Sequence, residues 1–170
     1  MDKDLITQEL DQWLQDFVEK PHVGLENWAP CPYARKARLD KQIKILFSGI
    51  PDLKHETWAC LPSLTLQEVV IICFDHEQIN VSELQKLVMD WNTELMPQDY
   101  VILEDHPDAP EHVNGVHMNF GKCGLLLIQK LSKLNDASDK LRAGGYYNVW
   151  SDDALAQVVT WRYKLDFGNL

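Results

Sequence analysis

The chain reads as a single α/β or α+β domain, a short mostly parallel or mixed sheet with flanking helices, and three stretches carry that reading. Val69-Val70-Ile71-Ile72-Cys73-Phe74 is a continuous, largely β-branched apolar run, the pattern of a strand buried on both faces. Asn80 and Glu83 stand at capping-box spacing ahead of a stripe of Leu84, Leu87, Val88, Trp91 and Leu95, which predicts a helix through about Met96. Residues 100–104 supply the next strand. Strand, helix and strand in that order predict a right-handed βαβ crossover.

The remaining elements follow from the same signals. Leu5, Ile6, Leu10, Trp13, Leu14, Phe17 and Val18 recur at helical spacing, so residues 4–19 form an amphipathic helix ended by Pro21. A loop rich in aromatic residues and proline leads to Cys31. A short helix follows over about 32–41, with Pro32 tolerated in its first turn. Residues 43–47 make a short buried strand, and 50–65 read as irregular. Residues 105–121 form a loop carrying three histidines, with a short edge strand in 116–120. A long helix is expected from about 122–125 to Arg142, its buried face marked by Leu127, Leu131, Leu134 and Leu141 and its end by Gly144-Gly145. Tyr146, Tyr147 and Trp150 follow as aromatic anchors. Ser151 caps a last helix over 152–163, whose acidic first turn suits the helix dipole. No repeat or linker divides residues 1–170.

Composition limits the function classes. With 170 residues, 45% hydrophobic and 25% charged, the chain has ordinary globular chemistry and can bury a substantial core. It lacks a signal-peptide pattern at its start, and its apolar runs are too short to cross a bilayer, so a cytoplasmic protein without membrane attachment is expected. The net charge of −10 argues against duplex nucleic acid as a partner. Four cysteines stand at 31, 60, 73 and 123 without a close CxxC pair, and Cys73 reads as a buried thiol.

Within this acidic chain, residues 35–44 carry Arg35, Lys36, Arg38, Lys41 and Lys44 against Asp40 alone. Cys31 stands just ahead of that basic helix, where orphan N–H groups and cations favour a thiolate. A small thiol-dependent enzyme is therefore expected, with Cys31 as nucleophile or redox centre and Tyr33, Arg35 and Arg38 holding a small anionic metabolite. The plainer alternative packs Cys31 below Trp28 and Tyr33 as a structural residue. Glu104-Asp105-His106-Pro107 follows a strand end, and Asp75, His76, His112 and His117 can reach the same rim. There His106 acts as acid or base with Asp105 orienting it, or His106, His112 and His117 bind zinc or iron. Gly121-Lys122-Cys123-Gly124 offers a further anion subsite at the expected helix start. A non-enzymatic protein partner is the remaining alternative, with Trp28 and Trp150 as anchors.

Cys31-Pro32-Tyr33-Ala34 resembles the Cys-Pro-Tyr-Cys active site of glutaredoxins over three residues. Ala34 replaces the resolving cysteine, so a dithiol mechanism at 31–34 is excluded. The chain also resembles a family of small uncharacterised bacterial proteins that carry a Cys-Pro-Phe-Ala-like segment after an N-terminal helix and a later His-Pro after a strand. The matching residues are Cys31–Ala34 and His106-Pro107. That resemblance implies a shared fold and a site at these residues without a defined chemistry.

Overall fold

The unbroken apolar runs become strands. In the computed structural model, which describes residues 1–163, β1 (Ile43–Ser48), β2 (Val69–Phe74), β3 (Tyr100–Asp105), β4 (His112–Val113), β5 (Val116–His117) and β6 (Gly124–Lys130) make a four-stranded sheet and a small hairpin. The larger sheet runs β1-β2-β6-β3, with β1 parallel to β2 and β6 antiparallel to both β2 and β3. The hairpin pairs β4 with β5 through Asn114 and Gly115, both at positive φ. The helices are α1 (Lys3–Trp13), α2 (Ala34–Leu39), α3 (Leu53–Cys60), α4 (Val81–Leu95), α5 (Leu131–Ala143) and α6 (Asp152–Val158). The described residues form an α+β domain with a mixed sheet flanked by helices; residues 164–170 of the single-domain assignment lie outside them.

Two features of the expected topology need correction. The segment expected to be one long helix from 122–125 to Arg142 is β6 followed by α5. Leu125-Leu126-Leu127-Ile128 is too short a run for its period to separate helix from strand, and a slot between β2 and β3 decides for strand. Gly124 admits this pairing, since a Cβ there would lie 2.3 Å from the Phe74 ring. The stretch 50–65 is also ordered, as α3 between two 3₁₀ turns. The strand–helix–strand unit is present with β2 and β3 parallel, but β6 is inserted between them.

Elsewhere local chemistry gives local structure. Asn80 and Glu83 form the reciprocal capping box at the start of α4. Ser151 accepts from the Ala154 N–H to cap α6, and Asp2 caps α1. The N-terminal helix runs on from α1 through a π-helical turn at Leu14–Val18.

Alternation along the strands gives the sheet two unlike faces. Val70, Ile72, Phe74, Ile102, Leu126 and Ile128 pack against α3, the 3₁₀ turn after it and α4 through Leu53, Leu64, Leu84, Val88 and Leu95, nearly all without exposure. Asn92 of α4 also closes the outer edge of β3: its Nδ2 donates to the Ile102 carbonyl and its Oδ1 accepts from the Ile102 N–H, each at 2.9 Å. That replaces a missing strand neighbour. On the second face Ile6 and Leu10 of α1 cover Ile71, Cys73 and Leu125, while Ile43, Ile45, Val69, Leu103 and Leu127 stay half-buried.

Candidate functional site

The half-covered second face is the floor of a groove of about 1070 Å³. Val69, Ile71, Leu125 and Leu127 line its base; Trp13, Leu14 and Val18 stand on one side, and Leu134 and Ala137 of α5 with Val158 and Trp161 on another. Cys31, Tyr33, Trp150 and the β4–β5 region complete the wall. Such a volume is at the upper end of small-molecule sites.

Backbone hydrogen bonds hold Cys31 at that wall. Its N–H donates to the Val18 carbonyl of the π-helical turn at 3.0 Å, and the Pro30 carbonyl accepts from the Tyr146 hydroxyl at 2.5 Å. The residue is exposed at the surface, but its thiol is turned in among surrounding chain, and the Ala34 N–H donates to the Cys31 carbonyl at 3.1 Å. Desolvation outweighs the Tyr33 and Ala34 N–H groups and raises the thiol pKa above its ordinary value, with Glu19 adding to the rise. The thiolate expected from sequence is therefore disfavoured.

The cations meant to favour the thiolate are otherwise engaged. Arg38 donates to Glu19 through Nε at 2.5 Å and Nη2 at 3.0 Å, which ties α2 to the end of the N-terminal helix and neutralises both charges. Lys36 pairs with Asp40. Arg35 is exposed, and neither it nor Arg38 lines the groove, whereas Tyr33 does. Trp28 packs edge-on against Tyr146, and Tyr146 and Tyr147 both pack on Trp150, so the expected anchors form a cluster of their own.

The histidine-rich rim separates into three places. His106 is 2% exposed, with Nε2–H donating to the Ile79 carbonyl at 2.9 Å and Nδ1 accepting from the Asp108 N–H at 3.1 Å. Both ring nitrogens are thus spent on backbone, which excludes the expected proton transfer to Cys31 in this arrangement. Asp105 does not orient His106, because consecutive residues at a strand end point to opposite sides. Its carboxylate instead accepts from Asn119 Nδ2 at 2.8 Å and the Phe120 N–H at 2.9 Å. His76 stacks edge-on against His106, and Asp75 caps the turn that carries it. His112 and His117 face each other across the exposed β4–β5 pair. Among the described residues no three His, Cys, Asp or Glu side chains are placed to hold a metal ion, so the His106–His112–His117 set is not assembled. Gly121–Gly124 leads into β6 rather than a helix, which removes the anion subsite expected there.

In place of that rim, three carboxylates gather at one end of the groove. Glu104 and Asp105, on alternate faces of the edge strand, and Glu111 from the following loop all line it. Asn119 holds the loop by accepting from the Glu111 N–H and donating to the Ala109 carbonyl. Burial raises the pKa of Glu104 and Asp105, and desolvation followed by the charges of Asp105 and Glu104 pushes Glu111 up to about 7. Of the lysines that line the groove, Lys36 pairs with Asp40, Lys133 pairs with Glu68 at 2.8 Å and Lys130 lies over the Tyr100 ring at 3.8 Å, while Lys140 of α5 has no ion-pair partner among the described residues. Sequence reading missed Glu111 because a loop carboxylate has no periodic position. Asn114-Gly115, a type I′ hairpin signal, was the available clue that the loop folds back toward the sheet.

Compared with models of protein families, with curated proteins and with solved structures, the chain matches none.

Proposed function

We propose that this protein binds a small organic ligand with an apolar body and a protonated nitrogen in the groove, and that Cys31 supplies thiol chemistry beside it. The observation that carries this reading is a carboxylate end, Glu104, Asp105 and Glu111, that no described lysine or arginine pairs with, on a groove with an apolar floor. After desolvation, the charges of Asp105 and Glu104 raise the pKa of Glu111, and carboxylates placed this way favour a cation among them. Their spacing does not suit a metal ion, which leaves an organic cation. The reading departs from the anionic metabolite expected from sequence because Arg35 and Arg38 stand outside the groove. It keeps the thiol-dependent enzyme as the class, since Cys31 lines the groove. No described helix is long and apolar enough to cross a membrane.

Calorimetry with phenethylammonium and 3-phenylpropanoate, matched in body and opposite in charge, tests the reading. The ammonium is expected to bind about tenfold more tightly. Its affinity rises as pH passes through about 7, where Glu111 ionises, and that rise is absent in Glu111→Gln. Bound ammonium also slows alkylation of Cys31 by iodoacetamide. Equal binding of the two probes, or preference for the carboxylate, overturns it.

A further inference from the structure

The chain's other thiols include a pair that the groove does not use. Cys73 on β2 and Cys123 just before β6 are 0% and 1% exposed, on the same side of the sheet, beneath Ile6 and Leu10 of α1 and beside Phe120. Register places them as diagonal neighbours: Cys73 opposes Leu125, and Cys123 lies two residues further along the same face. Both belong to one buried cluster with Phe120 and Leu125. Cys123 precedes Gly124, the first residue of β6 paired to β2, so its own backbone lies outside the ladder.

We propose that Cys73 and Cys123 are a redox-active dithiol that a peroxide converts to a disulfide linking β2 to the segment before β6. The Cys73 thiol, its pKa lowered by Cys123, gives up its proton and its sulfur attacks a peroxide oxygen; the O–O bond breaks and the departing hydroxide takes up that proton as water, leaving a sulfenic acid. The Cys123 sulfur then attacks the Cys73 sulfur, the S–O bond breaks, and hydroxide departs with the Cys123 proton as a second water. One hydrogen peroxide is reduced and two thiols are oxidised. The neighbouring Cys73, and after it burial, keeps the Cys123 thiol protonated until that step, and the burial of both thiols restricts the reaction to an oxidant small enough to enter the core.

Cys60 is a control within the same chain. It is buried to a similar degree at 3% exposure, its thiol donates to the Thr57 carbonyl at 3.1 Å, and burial pushes its pKa up to about 11. No sulfur faces it. The bond would also fasten Phe120 and Cys123 to β2, next to the Phe120 N–H that Asp105 accepts, and so stiffen the acidic end of the groove.

The test treats folded Cys31→Ser protein with hydrogen peroxide and reads intact mass and peptide maps. The expected result is the loss of two hydrogens and a Cys73–Cys123 linked peptide, with Cys60 still reduced and the melting temperature raised. In the Cys123→Ser variant, dimedone is expected to trap a sulfenic acid at Cys73 while the thermal melt remains cooperative. The proposal is overturned if the link forms only in denaturant, if Cys73 and Cys60 oxidise at the same rate, or if both partners pass to sulfinic acids without linking.

Discussion

The two faces of the sheet are built from the same strands and the same residue types, yet one is closed and the other is left open. Leu126 and Leu127 are adjacent on β6; the first has no exposure among the helices α3 and α4, and the second is half-buried on the groove floor. The difference lies in what covers them. Over the first face α4 presents a regular stripe, Leu84, Val88, Trp91 and Leu95, that matches the strand side chains. Over the second, α1 reaches only the end of the sheet near Phe120, and the rest is rimmed by short helices and by the loop carrying Cys31. A face that is fully packed supplies stability; a face left partly bare keeps apolar surface free for a ligand.

That contrast can be broken by truncation. Leu126→Ala is expected to cost about 3 kcal/mol, because it opens a cavity in a closed core. Leu127→Ala is expected to cost about 1 kcal/mol, because its side chain already borders open space. Urea unfolding of the two variants measures both values, and equal losses would mean that the second face is as tightly packed as the first. Asn92→Ala gives an intermediate effect of about 2 kcal/mol, since it strands the Ile102 N–H and carbonyl at the β3 edge, and the same urea series measures it. A loss near zero there would mean that solvent already reaches that edge.

The same contrast explains what could be read from the chain. The closed face was legible: Val69–Phe74, the Asn80–Glu83 cap and the α4 stripe are local signals, and they agree with the structure to within a residue or two. β6 was not, because four apolar residues serve a helix as well as a central strand, and its place depends on β2 and β3 being parallel and one strand apart. α3 was missed for want of amphipathic pattern; its buried residues are Leu53, Thr57 and Cys60. At the site, Cys31 and Tyr33 were found from their own motif and do line the groove. The histidine neighbourhood was inferred from a shared strand-end rim, and side-chain direction divided it. His106 turned to Ile79 while Asp105 turned to Asn119 and Phe120. Arg38 had an attractive spacing, but its partner Glu19 lies nineteen residues away and could not be read from the sequence.

Methyl NMR during titration with phenethylammonium tests the central claim most directly, because it reads both faces at once. The account predicts shifts at Leu103, Leu127, Val69 and Ile71 on the groove floor, with Val70, Ile72, Leu126 and Ile128 unmoved. Shifts spread equally over both sets, or confined to the closed face, would contradict it.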